Sequence, residues 1–219
     1  MSDLINNPLP RCATILALDV SGSMDGDPIE QLKAGALKFI RTVKEDDIAS
    51  ASLELAIVLF GGDNAKLLVP FTNLSDDAVN WHKIISNVQA DGSTPMGEAV
   101  ELSLDLLEKR KEEYKSNGVS YYQPWFVMIT DGEPTDESWE RAADRLYNAE
   151  QNKRVFPMVV GTEDADFYNL KKFVSEPIQL EGLKFQEFFS WLSASMSRVS
   201  TSAVGEEVTL PPKTGWQAI

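Results

Sequence analysis

Cysteine is nearly missing from this sequence. Cys12 is the single thiol among 219 residues, so no disulfide closes within the chain. It has no basic neighbour except Arg11 and reads as a structural thiol. Histidine is as scarce. His82 stands alone, beside Trp81 in a stretch of helical pattern, and reads as a surface or packing residue. Basic charge is in deficit: 20 Lys and Arg against 34 Asp and Glu give a net charge of −14. That argues against nucleic acid, whose phosphates need clustered cations, and against anionic membrane surfaces. It fits solubility, or a preference for cations and basic partners. No apolar run reaches the length of a membrane span. The opening "MSDLINNPLP" lacks the basic and apolar regions of a secretory signal. The expected compartment is the cytoplasm.

Hydrophobic residues make up 43% and charged residues 25%, enough for one large domain with a real core. Residues 13–18, "ATILAL", read as a strand buried on both faces. A helix should start at Pro28, with Asp27 as its cap and Glu30 completing a capping box. "LELAIVLFG" (53–61) and "KLLVPF" (66–71) are strands joined by the short turn "GGDNA". That predicts a hairpin with an antiparallel edge strand, and Pro70 places it at the edge. Helices are expected over 76–88 and from Pro95 to about Lys115. "PWFVMITD" (124–131) is a buried strand ending on Asp. Thr135 or Asp136 should then cap a helix reaching about Ala149. "RVFPMVVG" (154–161) is a strand, 164–174 a helix, "PIQL" a short last strand and 185–199 a final helix. Residues 1–9 read as an extension. Residues 200–219 read as an extended tail, packed back through Leu210 and Trp216. Tyr121, Tyr122 and Trp125 read as core or strand-edge residues.

Strands alternate with helices without repeat or linker. That pattern predicts one open, mostly parallel α/β sheet with helices on both faces. Ligands in such sheets sit beyond the carboxyl ends of the strands, where strand order reverses. Three loops belong there. The first carries Asp19, Ser21 and Ser23 within "LALDVSGSMDGDP". Their alternate spacing lets three oxygens face one point. The second carries Thr94 within "DGSTPMG", the third Asp131 within "ITDGEPTD". All five side chains offer oxygen, the chemistry of hard cations such as Mg²⁺. Two carboxylates match the double charge, and three hydroxyls fill positions without adding to it. Capping and turn roles account for Asp27, Thr94 and Asp131 singly. The conjunction of three loops favours metal. Asp25, Asp27, Glu133 and Asp136 flank the set, as helix caps or as acids that deepen its negative potential.

"DVSGS", the later "GST" threonine and the later "TDGEPTD" aspartate resemble the metal-ion-dependent adhesion site of von Willebrand factor A domains, in the family's chain order. The resemblance spans about residues 10–199. It implies a three-layer fold with a six-stranded sheet, mostly parallel, with one antiparallel edge strand. It also implies that Ser21 and Ser23 bind the ion directly and that Thr94 binds directly or through water. Asp19 and Asp131 then act mainly through coordinated waters. The ion is expected to be Mg²⁺, with Mn²⁺ or Ca²⁺ as alternatives, and its open position would accept a Glu or Asp of a protein partner. Within the family, "DVSGSMDGDPIE", "ITDGEPTD" and "GEEVTLPPKTGW" resemble TerY-type bacterial proteins. Those are associated with tellurite-resistance and stress gene clusters, in the company of phosphatase- and kinase-like proteins.

Two other readings stay open. One is a Mg²⁺-dependent phosphohydrolase with Asp19 as nucleophile at the end of the first strand. Ser21, however, stands where a general acid is expected two residues on, the loops lack Lys and His, and no phosphate-binding Gly-x-x-x-x-Gly-Lys-Ser/Thr occurs. The other is a scaffold with a vestigial site.

Overall fold

The computed structural model describes residues 7–218. Part of the N-terminal extension, residues 1–6, lies outside the described residues. Strand β1 is Cys12–Asp19, buried at every position. Its run of apolar residues follows from its central place. It pairs in parallel with β2 (Leu53–Gly61) and with β4 (Trp125–Thr130). Leu16 and Leu18 pack into one core, and Ile15 and Ala17 into the other. A strand covered on both faces has no polar side to alternate with.

The six-stranded sheet runs β3-β2-β1-β4-β5-β6, with β3 at Asn64–Asn73, β5 at Phe156–Gly161 and β6 at Ile178–Gln179. Only β3 is antiparallel, paired with β2 through the expected tight turn. Strand order reverses between β1 and β4. One face carries α1 (Asp27–Lys44), α2 (Asp47–Ser52), α3 (Trp81–Ser86) and α7 (Phe185–Ser200). The other carries α4 (Met96–Ser116), α5 (Trp139–Gln151) and α6 (Phe167–Phe173). The three-layer architecture read from the alternation of elements is the one present.

Several local expectations are corrected. Asp27 is inside α1 rather than capping it. The cap is Gly26 at φ 82°, a conformation that glycine adopts without strain. Glu30 makes no capping box and instead pairs with Lys33 at 2.5 Å. The helix expected over 76–88 shortens to Trp81–Ser86, because the Asn80 side chain accepts from Lys83 N and starts it there. Helix α6 begins at Phe167, capped by Asp166, rather than at Asp164. Helix α2, capped by Asp46, was not legible in the pattern. Tyr122 and Trp125 are buried, and Tyr121 lies against Tyr114, the rings tilted by 30° with centroids 5.4 Å apart.

After α7 the chain folds back along the outer edge of the sheet. Trp216 is buried, 5.1 Å from the Phe188 ring and 5.2 Å from Trp191. Trp191 Nε1 donates to Pro211 O at 2.8 Å, and Ala218 N donates to Gln179 O at 2.9 Å. The tail therefore occupies backbone groups that β6 would otherwise leave open. Among the described residues no helix is long and apolar enough to cross a membrane.

Candidate metal centre

Asp19 closes β1 and Asp131 follows β4, so the strand-order reversal itself puts the two carboxylates side by side. Asp19 is fully buried. Its Oδ1 accepts from Ser21 N at 2.8 Å and its Oδ2 from the Thr130 hydroxyl at 2.5 Å. Ser21 Oγ lies 3.1 Å from Ser23 Oγ, and Ser23 Oγ donates to Asp131 Oδ1 at 2.8 Å. The two serines sit around a 3₁₀ turn, Gly22–Met24, rather than in an extended segment. The turn, not an extended alternation, brings their hydroxyls together.

The Thr94 loop is sewn into place by its backbone. Asp91 N donates to Val20 O at 2.8 Å, Gly22 N to Gly92 O at 2.9 Å, and Gly62 N to Asp91 O at 2.6 Å. Gly92 has φ +66°, and a Cβ there would stand 2.4 Å from Gly62 Cα, so only glycine fits. Thr94 does not cap α4. The N-cap is Pro95, without a side-chain cap, and the Thr94 hydroxyl is left for other partners. A Cβ placed on Gly132 would lie 3.3 Å from Thr94 Oγ1 and 3.9 Å from Ser23 Oγ. Ser21, Ser23 and Asp131 are thus linked hydroxyl to carboxylate, with Asp19 bonded to Ser21 N and Thr94 Oγ1 bordering Gly132, so the five residues gather on the carboxyl edge of the sheet.

Three residues around this site escaped the sequence reading in their actual roles. Thr130 holds Asp19. Thr135 Oγ1 accepts from Thr94 N at 2.9 Å, and Asp136 Oδ1 accepts from Gly97 N at 2.9 Å. Neither Thr135 nor Asp136 caps the helix that follows it; Ser138 occupies that position without a side-chain cap, its hydroxyl donating instead to Asp136 Oδ2 at 2.7 Å. Their partners belong to the start of α4. The third loop is thereby locked onto the second.

Burial pushes the Asp19 carboxyl up to about 6, against the opposing bonds from Ser21 and Thr130, and Asp131 adds repulsion. Asp131 is also raised, chiefly by burial, with Asp164 adding its charge. Among the described residues no cation contributes to either shift. Two crowded acids without a counter-charge are what a cation would neutralise. Among the described residues no group of three or more His, Cys, Asp or Glu gathers as a metal set. A cation here would rely on hydroxyls as well as carboxylates, a donor set for Mg²⁺ and not for zinc. Asp25, Asp27 and Glu133 are exposed around the site, and His82 lies elsewhere, exposed on α3.

The von Willebrand factor type A domain profile matches residues 15–190. An uncharacterised protein from Synechocystis is 32% identical over 126 residues, 58% of this chain and 26% of its own length. Inter-alpha-trypsin inhibitor heavy chain H3 from Bos taurus is 29% identical over 160 residues, 69% of this chain and 16% of its own. The chain thus spans about a quarter or less of these curated relatives. Among solved structures, the von Willebrand factor type A protein from Catenulispora acidiphila superposes with a TM-score of 0.64. It is 16% identical, over 86% of this chain and 43% of that one. The pilus adhesin SpaC from Lactobacillus rhamnosus GG gives 0.70 at 10% identity, over 87% and 30%. At such identities the likeness is one of fold. The chain belongs to the von Willebrand factor type A domain family.

Proposed function

We propose that this chain is a metal-dependent protein-interaction module. Domains of its family commonly mediate protein–protein interaction. The metal dependence rests on one observation: two carboxylates and three hydroxyls gather at the strand-order reversal, and among the described residues no cation balances them. Asp19, Ser21, Ser23, Thr94 and Asp131 would hold a Mg²⁺-type ion, Mn²⁺ or Ca²⁺ being alternatives. Such an ion supplies concentrated positive charge on an acidic surface. Ser23 turns its proton toward Asp131 and accepts from Ser21, which leaves one lone pair for the ion. Asp19 is buried with a hydrogen bond on each oxygen, so it fits an electrostatic role through water better than direct ligation. A Glu or Asp of the partner protein completes the site and gains a charge-assisted contact.

The same burial disfavours the phosphohydrolase reading, since a nucleophilic Asp19 needs a free, accessible oxygen. Resemblance of the quoted segments to TerY-type proteins carries a further proposal. The partner is a phosphatase- or kinase-like protein of a bacterial stress or tellurite-resistance system, met in the cytoplasm.

The test is calorimetry with Mg²⁺, Mn²⁺ and Ca²⁺, followed by capture of partners on wild-type, Asp19→Ala and Thr94→Ala baits with and without EDTA. Heat of binding and a partner lost in all three perturbations are expected. No heat at millimolar metal would leave only a scaffold, and metal-dependent phosphatase turnover abolished by Asp19→Asn would restore the enzyme.

A further inference from the structure

A groove of about 640 Å³ opens on the α1 face, between α1, α3 and the first turn of α7. It stands apart from the metal centre. Arg41 is 14 residues along α1 from its start, roughly 21 Å at 1.5 Å per residue. The floor is apolar, formed by Leu37, Ile40 and Trp81. Lys38, Arg41 and Lys44 line it as well, and Glu45 is the only acid in the lining. That balance is the reverse of the whole chain, which has 34 acids against 20 bases. Lys44 pairs with Asp77 at 2.5 Å. Lys38 and Arg41 have no ion-pair partner among the described residues.

Trp81 adds a second observation. Its side chain is 6% exposed, and its Nε1 has no hydrogen-bond acceptor among the described residues. Buried indole N–H groups are ordinarily satisfied.

We propose that this groove docks an acidic linear segment of a partner protein. The segment sets one large apolar side chain against Leu37, Ile40 and Trp81 and places carboxylates against Lys38 and Arg41. A peptide suits the site better than nucleic acid. The cationic patch is short, and a long polyanion would run from it onto a strongly acidic surface. The proposal does not depend on the metal centre.

An array of immobilised peptides graded in Asp and Glu content, each with or without one Leu, Phe or Trp, tests it directly. Binding of the full chain should rise with acid content, require the apolar residue and weaken with salt. It should fall ~10-fold in the Lys38→Glu, Arg41→Glu double variant and be unchanged by EDTA. Circular dichroism checks that the variant is folded, and Trp81→Phe gives a second, charge-neutral probe expected to weaken binding. Binding indifferent to acid content, or unchanged in the double variant, would overturn the proposal. So would tighter binding to a DNA duplex. Concentration-dependent self-association abolished by Arg41→Glu would overturn it too, by assigning the groove to a second copy of this chain.

Discussion

The Ser23 hydroxyl donates to Asp131 Oδ1 at 2.8 Å across 108 residues of sequence. That bond joins the first loop to the third. Thr135 and Asp136 join the third to the second. The candidate site is therefore a closed circuit of loops in which each segment is placed by another. On the proposed function, preorganisation of this kind would let a cation bind without first ordering the chain.

Thr130 should matter to the site although its side chain is not among the five. Thr130→Val removes the hydroxyl that binds Asp19 Oδ2. A buried acceptor left short of a donor costs about 1–3 kcal/mol, readable as a lower urea midpoint. On the proposed function, Mg²⁺ affinity measured by calorimetry should fall ~10-fold or more, the scale seen when a ligand's supporting partner is lost.

Asp136 should behave as a cap for α4 and not for α5. Asp136→Ala is expected to cost about 1 kcal/mol. Hydrogen exchange should quicken at Gly97 N, while the first amides of α5 stay unchanged. Gly97→Ala should cost more, about 1–3 kcal/mol, because the new Cβ would meet Asp136 Oδ2 at 2.4 Å and Trp139 Cα at 2.5 Å.

The opposite end of the sheet holds a buried ionic knot. Glu54 is 1% exposed. It receives Arg110 Nε at 2.7 Å, lies 3.5 Å from Arg11 Nε, and accepts from the Tyr114 hydroxyl. Glu54→Ala leaves buried positive charge without its counter-ion and should cost about 3–5 kcal/mol. Tyr114→Phe should cost less, about 1–2 kcal/mol. Equilibrium urea unfolding checks both. Metal binding should be unaffected in either variant that remains folded.

Cys12 predicts an alkaline limit to stability. Burial pushes its thiol up to about 12, with Glu54 adding to the rise. The unfolded thiol titrates near ~8.5. Above that pH the unfolded chain releases a proton that the native chain keeps. Cys12 therefore contributes stability below ~8.5 and loses it as pH rises, at up to about 1.4 kcal/mol per pH unit. Cys12→Ala should flatten the stability curve between pH 9 and 11 by that slope. In the native wild type, the thiol should not react with Ellman's reagent at pH 8 and should react on unfolding.

Much of the fold was legible because its cause is local. β1 and β4 are short apolar runs ending on Asp19 and Asp131, and that pattern alone marks strands covered on both faces. The turn between β2 and β3 is too short for a crossover, which forces the antiparallel edge. Alternate spacing of Asp19, Ser21 and Ser23 suggested an extended segment, whereas Gly22–Met24 forms a 3₁₀ turn that places the two serine hydroxyls 3.1 Å apart. Other boundaries failed where the deciding atom is distant or ambiguous. Asp27 and Gly26 are both acceptable caps, and the chain path out of the 3₁₀ turn selects the glycine. Asp136 has the chemistry of a cap for its own helix, but tertiary packing brings Gly97 N within reach first.

The order of residues by itself determined the alternation of strands and helices, the acidic surface and the oxygen-only composition of the three loops. These depend on side-chain chemistry and on periods of two and 3.6. Only the tertiary structure decided that the three loops gather on one edge of the sheet, that Thr130 holds Asp19, and that scarce basic residues gather in a groove beside an unsatisfied indole. Those facts depend on where a parallel sheet reverses its strand order and on which helix faces pack together. Such relations join residues a hundred positions apart and leave no trace in any local window of sequence.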